Sequence, residues 1–563
     1  MIVLVGRRRP RAECWRLTTS HLSRSVRDSR PVCGARDAPI LSRIGCGEKP
    51  SGPAGQGTSA LPITHASSAA DAVGAGPHIE GVDDMNTRRG TARLILAGFA
   101  LVAPLLPAVS ANAVAGTCEG RAATHLGTPG DDVLSGTNGD DVMVGLGGDD
   151  TISGLLGNDV ICGDEGSDRL DGMAGDDRIL GGLDSDAAGD VIWPGAGNDY
   201  VDAGLDPLTR DDFSVPVDTV VYADLLAAGF PGGIRADLSP VGGLGVVAEP
   251  SGTDQIVVTE ALGIVGTRTA DVLIGSPYVD VLTGRGGADQ IDGAGGNDSL
   301  YADLPDTDVD PASDGPDDID GGSGADWIVL GQPGGTARGG DDTDHLEVHP
   351  ATGPAVLRGE EGADQILVAA VKDVDVDGGG GGDDIYFRLA PSSRGVSVNG
   401  GGARDLAILD VRKAGFGKGS TITVDLGSGV LRTKVRAGGV RALEVMAIIG
   451  KDERWKFRGT NRSEDLLMQG GRSLEAVMRG GRDSVVATPG RDVLDLGKGR
   501  SDFANGRKGR DTCLGAERVN SCENVRSGRS GRVVLGARAR ARGADERLAR
   551  GAQVVPRLPL GVD

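Results

Sequence analysis

Every ninth residue from 132 to 177 is an aspartate: Asp132, Asp141, Asp150, Asp159, Asp168 and Asp177. Five residues before each stands a glycine (Gly127, Gly136, Gly145, Gly154, Gly163, Gly172), and two before it another (Gly130, Gly139, Gly148, Gly157, Gly166, Gly175). Glycine makes up 95 of 563 residues, so twelve fixed glycines would arise by chance at a frequency on the order of 10⁻⁹. Two residues after each aspartate comes one apolar side chain, in order Leu134, Met143, Ile152, Ile161, Leu170 and Ile179. A chain that counts in nines repeats one small unit against its neighbours instead of gathering distant segments around a common core.

The unit itself suggests its conformation. The glycines allow positive φ and close backbone approach, as a tight turn requires. The residues around the apolar position then form a short strand with one side chain inward and its neighbours outward. Two units close one coil, so strand stacking at about 4.8 Å sets Asp132 over Asp150 and Asp141 over Asp159. Carboxylates at that separation repel by about 3–4 kcal/mol at an effective dielectric of 20, and the stack therefore calls for a cation between them. A hard dication taking six or more oxygens from carboxylates and turn carbonyls fits best, which favours calcium over magnesium.

The segments GLGGDDTIS (145–153) and GLLGNDVIC (154–162) resemble the nonapeptide G-G-x-G-x-D-x-U-x of the RTX, or haemolysin-type calcium-binding, repeat proteins of the secreted bacterial type. The resemblance implies a right-handed parallel β-roll with Ca2+ in its turns. The motif's second glycine is replaced here by Thr128, Thr137, Leu146, Leu155, Asp164 and Met173.

The unit returns further along. Asp190 and Asp199 continue it after a slip in GGLDSDAAGD, and Asp271, Asp280, Asp289 and Asp298 form a second run, followed by Asp317 and by Asp326 in GGSGADWIV. The candidate metal ligands are thus Asp132, Asp141, Asp150, Asp159, Asp168, Asp177, Asp190, Asp199, Asp271, Asp280, Asp289, Asp298 and Asp326. Beyond them Asp344, Asp364, Asp384 and Asp405 follow at roughly doubled steps. That spacing predicts wider coils with one glycine turn each and no carboxylate in the opposite turn. Two stretches, DTVVYA to GTRTADVLIG (218–275) and DLAILD to GTNRSEDLLMQG (405–470), echo each other; their β-branched content predicts extra strands continuing the solenoid, with a small β-sandwich as the alternative. Near the carboxyl end Asp483, Asp492, Asp502 and Asp511 keep the rhythm, preceded by Arg482, Arg491, Ser501 and Arg510. Those arginines predict turns in which a side-chain charge replaces calcium.

The expected organisation is a doubtful leader at 1–84, a signal peptide at 85–113, calcium β-roll blocks at 114–204 and 266–344, and a β-strand insert at 205–265. Wide coils with a second insert follow at 345–458, then degenerate repeats with a disulfide cap at 459–525 and a basic tail at 526–563. Met85 opens the signal, with Arg88, Arg89 and Arg93 before an apolar run and an Ala111-Asn112-Ala113 cleavage pattern, so translation is expected to start there. Residues 114–410 carry 56 acidic against 13 basic groups and 411–563 carry 17 against 31, a balance that suits cations and argues against nucleic acid. Four cysteines follow the signal, Cys118, Cys162, Cys513 and Cys522. An even number in an exported chain predicts two disulfides, Cys118–Cys162 and Cys513–Cys522, whereas zinc spacing is absent.

Catalytic motifs are missing: there is no H-E-x-x-H, G-x-S-x-G or phosphate loop. His345, Glu347 and His349 share one strand face and could take a transition metal, although a solvated face explains them as well. The reading is an all-β parallel solenoid with interposed β-strand segments: extracellular, calcium-binding, without enzyme activity and without a transmembrane segment after signal removal. Two alternatives stand beside it: an envelope-associated adhesin that holds carbohydrate or anionic envelope polymer, and a calcium-dependent polysaccharide lyase.

Overall fold

The computed structural model describes residues 116–526 and 534–535, leaving out 184–188, 206–217, 224, 226–228, 230, 241–242, 260, 304–314, 350–351, 370–371 and 434–436. The expected leader, signal peptide and most of the basic tail lie outside the described residues. Those residues form strands and turns and no helix, arranged as stacked parallel coils of about 18 turns.

In the first block each coil holds two short strands. Thr151–Ser153 pairs in parallel with Val133–Ser135 below and Arg169–Asp171 above, while Val142–Gly147 pairs with Val160–Glu165 on the other side. The register is eighteen residues, so Leu134, Ile152 and Leu170 stack in one file and Met143 and Ile161 in the other. Met143, Ile152, Ile161, Leu170 and Ile179 are wholly buried, and Leu134, in the first coil of the described residues, packs against them only in part. Each buried Leu or Ile contributes about 1.5–3 kcal/mol, which lets a chain with few aromatics hold a continuous core. The first file runs on through Ile192, Val220, Ile264, Leu282, Leu300, Ile328, Leu346, Ile366 and Ile385.

Both echoing stretches are folded alike. Arg235–Asp237, Leu244–Ala248 and Thr253–Val257 make an antiparallel meander whose outer strands each continue a parallel stack. Thr421–Asp425, Val430–Arg432 and Ala437–Arg441 repeat that arrangement. The inserts are therefore extra strands within the solenoid and not a separate sandwich. In the wide coils, strands such as Gln365–Ala369 and Asp384–Arg388 send two side chains inward, Ile366 with Val368 and Ile385 with Phe387. Their opposite face carries a second apolar cluster of Leu367, Tyr386, Ile408, Ala447 and Ile449.

Both predicted disulfides are formed. Cys118 joins Cys162 across the first coils, and Cys513 joins Cys522 at the other end.

Candidate metal centre

A side chain that leaves a strand for a tight turn can reach the coil beneath it, and the repeat aspartates do so. The Asp132 amide donates to Asp150 Oδ1 at 2.7 Å, Asp141 to Asp159 at 2.7 Å, Asp150 to Asp168 at 2.8 Å and Asp159 to Asp177 at 2.8 Å. Asp168 donates to Asp190 and Asp177 to Asp199 in the same way. The second block continues the pattern from Asp271 to Asp289, Asp280 to Asp298, Asp298 to Asp326 and Asp326 to Asp344. All thirteen candidate aspartates thus stand in stacked rows, and all but Asp132 are buried.

The other carboxylate oxygen distinguishes two kinds of turn. At Asp150, Asp159, Asp168, Asp177, Asp199, Asp289, Asp298 and Asp326, Oδ2 is buried and has no hydrogen-bond partner. Except at Asp199, where Pro194 stands in that place, it faces the glycine five residues earlier so closely that a β-carbon at Gly145, Gly154 or Gly163 would overlap it. Carbonyl oxygens crowd the same space: Gly163 O of the next coil lies over Gly145, and Gly181 O over Gly163. The chain reaches this turn through positive φ at two places. One is the glycine two before the aspartate, +100° at Gly148 and +119° at Gly157; the other is the replaced glycine, +83° at Leu146, +79° at Leu155, +76° at Asp164 and +65° at Met173.

The second kind of turn has threonine or serine four residues before the aspartate. Thr128 donates its amide (2.5 Å) and hydroxyl (2.8 Å) to Asp132 Oδ2, and Thr137 does the same to Asp141 at 2.7 and 2.8 Å. The Thr267 and Ser276 amides reach Asp271 and Asp280 Oδ2 at 2.7 and 2.5 Å. Here neither Thr128, Thr137, Thr267 nor Ser276 needs positive φ.

The electrostatics follow burial before these contacts: Asp271 and Asp280 rise to about 6 and about 7 despite their Thr267 and Ser276 donors. Burial, with help from neighbouring carboxylates, raises the Asp150 and Asp159 carboxyls, lifts Asp168 to about 6 and Asp177 to about 7, and with Asp254 close by takes Asp199 to about 9. Asp289 and Asp298 rise to about 8 and about 9 for the same reasons. At Asp141 burial pushes upward too, but the Thr137 amide and hydroxyl and the Thr124 hydroxyl outweigh it and hold the group below the ordinary value.

A buried carboxylate oxygen without a donor is costly, and a cation is the partner that relieves it. Among the described residues no group of three or more His, Cys, Asp or Glu side chains is placed to hold a metal alone. The available donors are therefore one or two carboxylates together with turn carbonyls, an all-oxygen set that suits a hard dication. His345 and His349 lie 3.9 and 4.0 Å from the buried Glu347 carboxylate and make no such group either.

Two expectations are corrected. In the wide coils the turn residue is Asp383, not Asp384: Gly378 stands five residues before it, Asp364 donates to its Oδ1 at 3.1 Å, and Asp384 begins the following strand with its side chain exposed. Nor do the arginines that precede the carboxyl-terminal aspartates reach them. Arg482, Arg491 and Arg510 are exposed and pair with none of Asp483, Asp492 and Asp511, whose Oδ2 atoms are buried and unpartnered like those upstream. The residue before the aspartate points to solvent because the aspartate itself turns in.

Sequence reasoning left three further sets of residues out of the turn contacts. Asp344, Asp364, Asp383 and Asp405 share the unpartnered oxygen, signalled by Gly339, Gly359, Gly378 and Gly400 five places earlier. An outer ladder runs beside the inner one: Asp131 Oδ1 accepts the Asp149 amide, Asp140 that of Asn158, and Asn158 that of Asp176. The threonines and serine at the first turns of each block are the third set.

The family model of the RTX calcium-binding nonapeptide repeat (4 copies) matches residues 126–161, 163–188, 187–206, 265–300 and 312–332. No curated protein matches the chain.

Proposed function

The chain carries RTX calcium-binding nonapeptide repeats and takes Ca2+, and from that premise we propose that calcium drives its folding as an exported, non-enzymatic solenoid. The observation that supports this most is the row of buried Oδ2 atoms without donors, at Asp150, Asp159, Asp168, Asp177, Asp199, Asp289, Asp298 and Asp326. These carboxylates and the carbonyls of the glycine turns would hold the ion. Bound there, calcium supplies positive charge between stacked carboxylates that otherwise oppose stacking. The chain's own part is to bring each aspartate over the amide of the coil beneath and to keep water from its second oxygen. Metal affinity then appears as folding free energy.

Export is supported by the two disulfides, which persist in oxidising compartments. A second reading, an envelope-associated binder of carbohydrate, draws on Trp327, an exposed ring tilted by 31° against His345 with the ring centroids 4.2 Å apart.

The test is a calcium titration of the full chain followed by far-UV circular dichroism. β-Structure is expected to appear with a midpoint at about 10⁻⁴ to 10⁻³ M, the range of extracellular calcium modules. Full β-signal in chelator at neutral pH would overturn the reading.

A further inference from the structure

The two kinds of turn are not scattered. Thr128 and Thr137 open the first block, one on each edge of the solenoid, and Thr267 and Ser276 open the second in the same way. What lies beneath them is the same in kind. Asp132 is in the first coil, and the coil under Asp141 offers Thr124, whose hydroxyl meets Asp141 Oδ1 at 3.0 Å. Under Asp271 the chain offers the Ile234 amide at 2.7 Å, and the strand under Asp280–Thr283 is Leu262–Val265; neither lower turn brings an aspartate. Every aspartate of these blocks with an unpartnered Oδ2, by contrast, stacks on the turn of another aspartate.

An ion held between coils draws oxygens from two successive turns, so the first turn of a row, having no repeat turn below, can offer only part of such a set. Donors from within the same turn answer Oδ2 instead, although at Asp280 the buried Oδ1 keeps no hydrogen-bond partner. Resting on the calcium reading above, we propose that Thr128, Thr137, Thr267 and Ser276 close their turns in place of calcium, so that each block begins with a pair of ion-free turns on which the first ion-bearing coil stacks. Asp132, Asp141, Asp271 and Asp280 are then starters of the rows and not ligands through Oδ2.

The number of calcium ions bound by the full chain, counted by equilibrium dialysis, tests this. Asp141→Asn and Asp271→Asn keep an acceptor oxygen for the threonine and are expected to leave the count unchanged, while Asp159→Asn and Asp289→Asn each lower it by at least one. Leu155→Thr places a hydroxyl four residues before Asp159 and is expected to remove one ion with the β-signal retained. An equal loss in Asp141→Asn and Asp159→Asn, or a full count in Leu155→Thr, would overturn the proposal while leaving calcium binding intact. If the wild-type chain binds none, or Asp159→Asn and Asp289→Asn change nothing, the underlying calcium reading fails and the proposal falls with it.

Discussion

At the scale of single residues, neighbouring positions in one turn carry opposite demands. Gly154 sits where a β-carbon would overlap Asp159 Oδ2 and crowd Gly172 O, whereas Leu155 beside it holds φ at +79°. Gly154→Ala is therefore expected to destabilise the calcium-loaded protein by about 1–3 kcal/mol. Leu155→Gly should stabilise it by about 1 kcal/mol, because glycine takes that backbone without strain. Thermal unfolding in saturating calcium reads both, and the same sign for the two would refute this account of the turn. Protons act on the same carboxyls. Asp168, Asp177 and Asp199, raised to about 6, 7 and 9 chiefly by burial, hold a proton more firmly folded than unfolded. Without metal their contribution to stability is fully present below the unfolded value of about 3.9 and is lost as pH rises through about 6 to 9. In chelator, β-structure should thus be greatest in acid and fade toward alkaline pH; a gain on raising pH would contradict it.

At the scale of elements, the carboxyl-terminal turns behave as a third row. Glu464 donates its amide to Asp483 Oδ1 at 3.1 Å and Asp483 to Asp502 at 2.9 Å, while Asp492 donates to Asp511 at 2.9 Å. A threonine stands at the start of each edge here as well, but Thr460 meets only Glu464 Oε1 and Thr488 only Asp492 Oδ1 at 2.7 Å, so Glu464 Oε2 and Asp492 Oδ2 stay buried and unpartnered, unlike the first turns upstream. Arg482, Arg491 and Arg510 stand where the first block places Asp, Asn or Ser; the outer ladder continues here at Ser463, whose Oγ accepts the Arg482 amide at 2.9 Å, and the inner oxygens are kept. Calcium should bind despite the basic surroundings. Asp502→Asn is expected to lower the count of bound ions by at least one in equilibrium dialysis, and an unchanged count would mean that the net positive charge of this region keeps the ion out.

At the scale of the whole molecule, stability passes from coil to coil. Leu300 is wholly buried between Leu282 and Ile328 in the inner file. Leu300→Ala should cost about 2–5 kcal/mol. Because each coil touches chiefly its neighbours, amide exchange is expected to rise across residues 265–330 and to stay unchanged in 459–515. Uniform loss of protection would show instead that the solenoid melts as one unit. The nine-residue period, read by itself, determined the parallel stack, the eighteen-residue register, the inward files and the pairing of Asp132 with Asp150. All of these follow from strand geometry acting on a strict repeat. The two disulfides were also readable, since only four cysteines follow residue 113. Where the period loosens, the sequence left choices open: Asp383 and Asp384 are adjacent, and only the turn geometry shows which one folds in. The threonine turns were visible as letters but not as partners. Whether a carboxylate meets a hydroxyl, an arginine or an unfilled space depends on which coil lies beneath it, and the tertiary stack alone decides that.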